Sequence, residues 1–243
     1  MANVEMGCTV CEYNIETSRR ESMTMRQVAS KWKKYLALKS HDGVARHLPD
    51  MRLYSPRQLE DMLGRHAFVV AKPVVGGGGS GAVKISRTGN GGYTYQYMHK
   101  KRTVGSFAQL TAALHRITRG RKYVVQQGIP LATIKGRPVD YRVKMVKQGG
   151  GWKTTAVVAK VARPGLFVTN LCRGGTQLRA MQALRSCFPA KLAKAKKDTM
   201  TGVARTCTYV LEKRYPGLRA LGYDFGVDQR GNVWVFEVNT RPQ

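Results

Sequence analysis

The chain has 243 residues, of which 42% are hydrophobic, and this is enough to bury the core of one two-lobed domain or of two small domains that share a cleft. Its 42 lysines and arginines against 14 aspartates and glutamates give a formal net charge of +28, so acidic partners are expected. No run of about 18 apolar residues and no amino-terminal signal pattern occurs. A membrane span and a secretory signal are therefore not predicted, and the cytoplasm is the default location.

The positive charge is concentrated in the middle of the chain. Between Asp61 and Asp198 the only carboxylate is that of Asp140. Such a field attracts nucleotides, acidic peptides, anionic polymers and nucleic acids alike. The alternative is a solvated surface that only keeps the protein in solution.

The five cysteines are scattered and odd in number, which favours reduced thiols over a disulfide framework. Cys8 and Cys11 have the spacing of half a zinc site or of a redox pair. No second pair of cysteines or histidines stands at a suitable distance from them. An ordinary polar terminus is the favoured interpretation of residues 1–24, which we expect to be flexible.

The next segment, residues 25–66, is predicted to be a basic helical lead-in. Residues 27–38 form a helical pattern with Val28, Trp32, Tyr35 and Leu36 on one face. A short helix follows at Ser55 and Pro56, which are an N-cap residue and a proline at the first helical position.

Residues 67–128 have the pattern of a small α+β lobe. Strands are predicted over residues 67–73, 82–86, 91–98 and 122–127, with a helix capped by Ser106 that runs to about residue 118. A glycine-rich loop, residues 76–81, separates the first two strands.

Residues 129–243 form the second predicted lobe. Two strands, 139–146 and 151–162, are joined by a glycine-rich hairpin connection. A helical region over residues 176–215, broken at Pro189, then leads to a closing hairpin of residues 221–227 and 232–238. The predicted fold class is α+β.

Three oxygen-bearing side chains stand near the end of the chain, where acids are otherwise scarce. Glu237 and Asn239 are two residues apart and share a face of the last strand, and Asp224 lies across the turn on the partner strand. Magnesium prefers oxygen donors and is commonly held by one or two carboxylates together with substrate phosphates. We predict that these three residues bind metal. The alternative is a solvated hairpin whose acids pair with neighbouring lysines and arginines.

The segments Tyr223-Asp224-Phe225 and Glu237-Val238-Asn239 resemble the last strand pair of the ATP-grasp superfamily, in which an aspartate and a Glu-x-Asn bind magnesium. The spacing of 13 residues between the two acids is similar to that of the D-alanine ligases. The resemblance implies two α+β lobes, with ATP in the cleft between them and two Mg²⁺ ions on its phosphates.

The upstream glycine-rich segment is similar to the superfamily's strand lysine and mobile phosphate loop. Backbone N–H groups of such a loop can approach phosphate oxygens because no Cβ obstructs them, and the lysine adds a positive charge. Another lysine, Lys31, stands where the superfamily has a second ATP-contacting lysine. The implied phosphate-binding residues are Lys31, Lys72, Gly76, Gly77, Gly78, Gly79, Ser80 and Gly81.

Residues 123–129 resemble the superfamily's hinge strand. The resemblance implies that Gln126, Gln127, Gly128 and Ile129 contact the nucleotide, with main-chain groups of residues 127–129 reading the adenine edge. An ordinary edge strand would have the same pattern.

Asp140-Tyr141-Arg142 and the run from Asn170 to Gly175 are similar to motifs of ATP-grasp ligases that append amino acids to proteins or peptides, such as the ribosomal-protein glutamate ligases. The resemblance implies that Asp140 belongs to the ATP site. Arg142 and Arg163 would stabilise charge on the transferred phosphoryl group, and Asn170 would hydrogen-bond it. The alternative is a structural ion pair between Asp140 and Arg142.

The resemblance is greatest to the branch described as endospore coat-associated, and it covers about residues 30–243. The shared features include Leu48-Pro49, the Gln-Gln-Gly-Ile strand and the final Glu-x-Asn. It implies a carboxylate–amine ligase that acts through an acyl phosphate on an acidic small molecule, peptide or polymer and an amine, and a possible association with spores. The chain stops directly after the metal strand, so we expect an acceptor site that is incomplete or is supplied by a partner.

Two other functions fit the same sequence. A nucleic-acid-binding protein would use the positive charge together with aromatic stacking, and Tyr93, Tyr95 and Tyr97 alternate along one predicted strand. Ordinary β packing explains those tyrosines equally well. An ATP-dependent kinase of the same architecture would lack the second, amine-consuming step.

Overall fold

The computed structural model describes residues 26–242 of the chain and has the predicted α+β architecture. Two antiparallel sheets each carry helices on one face, and the uncovered faces border a common cleft. The predicted segment 1–24, with Cys8 and Cys11, lies outside the described residues. No helix within residues 26–242 is long and apolar enough to cross a membrane.

The first sheet has the strand order β1-β6-β2-β3-β4-β5. Its strands are β1 (Met51–Leu53), β2 (Val69–Pro73), β3 (Val83–Arg87), β4 (Tyr93–Tyr97), β5 (Lys100–Val104) and β6 (Tyr123–Gln127). The sequence predicted four of them. It missed β1 and β5, because β1 is only three residues long and β5 is an exposed edge strand without an apolar alternation.

Two helices cover one face of this sheet, α3 (Pro56–Arg65) and α4 (Phe107–Thr118). Both begin where the sequence predicted, because Ser55 and Ser106 cap them by accepting a hydrogen bond from the backbone N–H three residues on. Leu59 and Leu110 are fully buried against Val69 and Ile85 of the sheet. This packing fixes the orientation of β2, whose other face borders the cleft.

The positions of the tyrosines of β4 decide whether they could stack on the bases of a nucleic acid. Tyr93 and Tyr95 belong to the buried core and Tyr97 packs against it. Tyr93 also contacts the ring of Phe107, with ring centroids 5.6 Å apart. These residues are ordinary β packing, and the stacking platform that we considered for nucleic acid is wrong for this strand.

The second sheet has the strand order β10-β9-β8-β11-β12, with β7 paired to β8. Its strands are β7 (Thr133–Ile134), β8 (Arg137–Gln148), β9 (Gly151–Val161), β10 (Thr176–Arg179), β11 (Ala220–Val227) and β12 (Val233–Asn239). The predicted hairpin between β8 and β9 is present, and Gly149 and Gly150 turn it with φ values of 57° and 81°.

Four helices and one short turn accompany the second sheet: α1 (Lys31–Lys39), α2 (Asp42–Ala45), α5 (Ala180–Cys187), α6 (Ala190–Arg214) and the 3₁₀ turn Leu171–Arg173. Met200 and Leu184 of the helices pack with Tyr141, Met145 and Phe225 of the sheet in one buried cluster. Because side chains alternate along a strand, residues between these core positions face the cleft.

The first helix differs from its prediction. It begins at Lys31 instead of residue 27, because Ser30 caps it by accepting from the N–H of Lys33. Val28 is buried in an extended segment, where its N–H donates to Thr240 Oγ1 at 2.9 Å. Leu36, predicted on the buried face, is 48% exposed, and Leu38 is buried in its place.

The predicted helical region over 176–215 is also corrected. Its first four residues are strand β10, which pairs with β9 from Thr176 opposite Val161 to Arg179 opposite Val158. The break at Pro189 is confirmed, since α5 ends at Cys187 and α6 begins at Ala190. Proline has no N–H to continue the helical hydrogen bonds.

Candidate active site

The cleft between the two sheets has a volume of about 1280 Å³. One wall carries Lys72, Gln126 and the glycine-rich loop, and the other carries Asp140, Arg142, Asp224, Glu237 and Asn239. Most of the residues singled out from the sequence therefore line one space, although they are spread over about 210 positions of the chain, from Lys31 to Asn239.

A cluster of two acids and two cations lies at the centre of the second wall. Arg142 forms two hydrogen bonds with Asp224, at 2.8 and 3.0 Å, because β8 and β11 pair these residues directly. Lys160 Nζ lies 2.9 Å from Asp224 Oδ1 and 3.1 Å from Asp140 Oδ1. The ion pair between Asp140 and Arg142, which was the alternative interpretation of this motif, is not formed: Arg142 pairs with Asp224, and Asp140 pairs with Lys160.

Burial and charge set the pKa values in this cluster in opposite directions. Burial raises the pKa of Asp140 to about 6, and Lys160 and a hydrogen bond from Thr169 offset part of the effect. Burial also opposes ionisation of Asp224, but Lys160 and Arg142 outweigh it and hold its pKa below the usual value. Asp224 is thus the carboxylate held in its charged form.

Glu237 lies opposite Asp224 on β12, and Asn239 donates to Asp224 Oδ2 at 3.2 Å. A bulge follows Asp224 in this strand pair, so Phe236 and Glu237 both border the cleft although they are consecutive. The predicted convergence of the three metal-binding candidates is present in the fold, and so is the alternative pairing with lysine and arginine.

Lys31 connects the metal-binding candidates to the glycine-rich loop. Its ammonium donates to Gly76 O at 2.5 Å and lies 3.3 Å from Glu237 Oε1. Lys34, one turn further along α1, also lines the cleft, and burial lowers its pKa to about 8. Lys31 was predicted from the sequence, whereas Lys34 was not.

Lys72 projects from β2 into the cleft and donates to Gln126 Oε1 at 2.6 Å. Burial lowers its pKa, and the charge of Glu237 offsets part of this effect. Its ammonium lies 5.7 Å from the ring centre of Phe236, and Gln126 Nε2 donates to Phe236 O at 3.3 Å. Lys72 and Gln126 therefore link the two walls.

The glycine-rich loop lies against the 3₁₀ turn of the second lobe. A Cβ at Gly79, where φ is +69°, would stand 2.5 Å from Asn170 Oδ1. Gly78 O accepts from Arg173 Nε at 3.4 Å and from Cys172 Sγ at 3.6 Å. Glycine at these positions allows the loop to approach Asn170 and to present its backbone to the cleft.

The predicted hinge strand bonds to neighbouring segments of the chain. The N–H of Gln127 donates to Asp50 O at 2.7 Å, and its side chain accepts from Asp50 N at 3.1 Å. The N–H of Gly128 donates to Phe68 O at 2.9 Å. These two main-chain N–H groups are therefore bonded within the protein, and Gln127, Gly128 and Ile129 line the cleft. Contact of residues 127–129 with an adenine edge stays a prediction.

Arg163 is the predicted catalytic residue that the fold does not bring to the cleft. It is exposed, and its side chain packs along Gly174, where a Cβ would stand 3.0 Å from its Cδ. It follows the end of β9 and is absent from the cleft wall. Asn170, by contrast, lines the cleft beside Gly79.

Several cleft residues were missed by the sequence analysis, above all Lys160, Thr169, Phe236 and Lys144. For Lys160 a signal existed, since it is a single cation within the apolar run 156–162 of a predicted strand. A lysine that interrupts such a run requires a buried partner or a polar cavity.

A family model described as YheC/D like ATP-grasp matches residues 21–243. The chain belongs to this ATP-grasp family. Two similar proteins of Bacillus subtilis (strain 168) are the endospore coat-associated proteins YheD, 30% identical over 88% of the chain and 48% of the relative, and YheC, 24% identical over 89% and 61%. The chain thus spans about half to three fifths of the length of these ATP-grasp relatives.

Solved structures share the ATP-grasp fold. Carboxyaminoimidazole ribonucleotide synthase from Aspergillus clavatus, complexed with ATP, is 12% identical with a TM-score of 0.56, over 90% of this chain and 46% of that one. D-alanyl-alanine synthetase A from Vibrio cholerae is 14% identical with a TM-score of 0.53, over 88% and 55%. At these identities the likeness establishes the fold.

Proposed function

We propose that this ATP-grasp chain is an ATP-dependent carboxylate–amine ligase. The observation that carries the proposal is that two sets of residues face each other across one cleft. Lys72 and the glycine-rich loop lie on one side, and Arg142, Asp224 and Glu237 lie on the facing sheet. The first set suits a polyphosphate, and the second suits cations and developing negative charge on a reacting phosphoryl group.

Magnesium fits the donor set of the second wall. Asp224 and Glu237 lie opposite each other on β11 and β12 and supply carboxylate oxygens, and Asn239 supplies an amide oxygen. These are hard oxygen donors of the kind that Mg²⁺ takes beside substrate phosphates. We propose that these three residues hold two Mg²⁺ ions, which would neutralise the phosphates of bound ATP. Within residues 26–242 no group of three or more acidic, histidine or cysteine side chains is placed to hold a metal ion, and in this proposal the phosphates of ATP would supply further ligands.

The proposed reaction has two steps. An oxygen of the acid substrate forms a bond to the γ-phosphorus, the bond from that phosphorus to the β-phosphate oxygen breaks, and ADP and an acyl phosphate result. An amine then forms a bond to the acyl carbon, and inorganic phosphate and a proton leave. Arg142, positioned by Asp224, faces the negative charge that develops in both steps.

Other residues would bind and shield the reactants. Lys72 and the backbone of the loop would hold phosphate oxygens, and Asn170 would hydrogen-bond the group in transfer. Because the loop contacts the turn at Cys172 and Arg173, it would exclude water that could hydrolyse the acyl phosphate. Arg163 has no proposed part, since it lies outside the cleft.

The location and partners of this chain belong to the proposal as well. We propose cytoplasmic action on an acidic small molecule, peptide or polymer, with spore association as the alternative that the name of the YheC and YheD relatives supports. The net charge of +28 also favours a second candidate, binding of nucleic acid or another polyanion outside the cleft.

The test is an ADP-release assay with ATP, Mg²⁺, candidate acids and candidate amines, in which the amide is detected by mass. A ligase releases ADP and forms the amide only when both substrates are present. ADP release that needs the acid alone indicates a kinase. Failure to bind ATP, together with RNA binding that weakens steeply with salt, would favour the polyanion-binding candidate.

A further inference from the structure

The cleft-facing side of the second sheet extends beyond the acid–cation cluster. Lys144 follows Arg142 by two residues on β8, and it pairs across with Ala156 of β9. Arg142 pairs with Val158, and Val158 pairs in turn with Arg179 of β10. Directly paired residues lie on the same face of a sheet. We call the surface of Arg142, Lys144, Ala156, Val158 and Arg179 the shelf.

The shelf has a half-buried apolar floor and cationic edges. Ala156 and Val158 form the floor, and Lys144 is half-buried beside it. Arg179 is exposed and lies beyond the residues that line the cleft, next to Val158 on the neighbouring strand. At about 3.4 Å per residue, Lys144 stands roughly 7 Å from Arg142 along the strand, and at about 4.8 Å per strand Arg179 stands roughly 10 Å away across the sheet. Within residues 26–242, neither Lys144 nor Arg179 has an acidic partner.

The charge of the cleft exceeds what ATP requires. Eight lysines and arginines line the cleft against three carboxylates. ATP that carries two Mg²⁺ ions is close to electrically neutral, so the excess positive charge is left for another ligand. Lys160 and Arg142 are already paired with Asp140 and Asp224, whereas Lys144 is the unpaired cation nearest to them on the same strand.

We propose that the shelf binds the acid substrate and selects one with a second anionic group, a dicarboxylate or the acidic end of a peptide. The inference rests on the proposed ligase function. The reacting carboxylate lies near Arg142, its methylene groups cover Ala156 and Val158, and the second carboxylate binds Lys144 and Arg179. Gly222 leaves room for the Arg142 guanidinium, because a Cβ at Gly222 would stand 3.0 Å from Arg142 Nη1 and 2.8 Å from Pro242 Cβ.

The test compares ligands that differ in one charge. Binding of glutarate and of its monoamide is measured by calorimetry in the presence of Mg²⁺ and a non-hydrolysable ATP analogue, and so is binding of a peptide ending in Glu-Glu and of one ending in Gln-Gln. We expect the charged member of at least one pair to bind about ten-fold or more tightly. A preference for glutarate over its monoamide would identify the acid substrate as a small dicarboxylate. A preference for the peptide ending in Glu-Glu would identify it as the acidic end of a peptide.

The double variant Lys144→Gln/Arg179→Gln should lose that preference while it binds the ATP analogue as wild type does. Lys147→Gln is the matched control, since it removes a lysine of the same strand that faces α6 and pairs with Glu212. Equal binding of charged and neutral ligands, or an unchanged preference in the double variant, would contradict the proposal that the shelf binds a second anionic group. A third outcome is that the wild type prefers the charged ligand and the double variant loses this preference, while no combination of acid and amine releases ADP. That result would support the anion site and contradict the ligase function.

Discussion

Lys160 Nζ lies 2.9 Å from Oδ1 of Asp224, a residue that the sequence assigned to metal binding. Arg142 bonds both oxygens of the same carboxylate. Asp224 is therefore charged, oriented and surrounded by cations before any ligand enters. This arrangement suits the proposed site for anionic phosphates, since Asp224 is held in its charged form and cationic side chains lie close to it.

The first prediction concerns the buried ammonium of Lys160. Lys160→Met leaves Asp140 without its cationic partner in a buried position, and this costs about 3 to 5 kcal/mol in the free energy of unfolding. Urea denaturation measures the loss. The double variant Asp140→Asn/Lys160→Met should lose less than the sum of the two single variants, because the unpaired charge is then gone. Strict additivity would contradict the pairing.

The second prediction concerns Lys34, which is 4% exposed and whose pKa burial lowers to about 8. Below pH 8 the Lys34 ammonium stays charged in the folded protein, and burying that charge lowers the free energy of unfolding. Between about pH 8 and the ordinary lysine pKa of 10.5 the unfolded chain binds more protons than the folded one, so the contribution of Lys34 to the free energy of unfolding rises with pH.

Replacement of Lys34 tests this sign directly. We expect Lys34→Met to raise the free energy of unfolding by about 1 to 3 kcal/mol at pH 7, and we expect the gain to shrink as the pH approaches 10. Denaturation is measured at both pH values. Lys39→Met, at an exposed position of the same helix, is the control. A gain that grows with pH would refute the assignment.

The third prediction concerns the contact of the glycine-rich loop with Asn170. Gly79→Ala places a Cβ 2.5 Å from Asn170 Oδ1 at a residue with φ of +69°. The loop can then no longer close on the turn, so ATP binding weakens about ten-fold or more while global unfolding changes little. Gly77→Ala is the matched control, because a Cβ there meets nothing within 4 Å. Equal effects of the two variants on the ATP dissociation constant would disprove the role of this contact.

The closing hairpin was predictable from sequence because its determinants are local. Asp228 accepts hydrogen bonds from Arg230 N and Asn232 N, and Gly231 takes a φ of +81°, so the turn residues themselves set the register. The alternation along β12 then brings Glu237 and Asn239 to one face. These facts follow from the order of residues over fewer than twenty positions.

The partners of Asp224 were not predictable in the same way. Arg142 precedes it by 82 residues and Lys160 by 64, and their contacts depend on β11 pairing with β8 in one particular register. No local pattern specifies that register. Likewise, Thr176 to Arg179 became a strand because β9 offered a free edge, which is a tertiary effect that overrides local helical preference.

We propose that Glu237 and its neighbours bind divalent cations beside a nucleotide in the cleft. The most direct measurement is calorimetric titration of ATP with and without Mg²⁺ into the wild-type protein and Glu237→Gln, with Asp198→Asn on the exposed face of α6 as the control. We predict that Mg²⁺ tightens ATP binding about ten-fold or more in the wild type and in the control, and that Glu237→Gln loses this gain. The same Mg²⁺-dependent gain in Glu237→Gln, or no ATP binding by the wild type, would contradict the account.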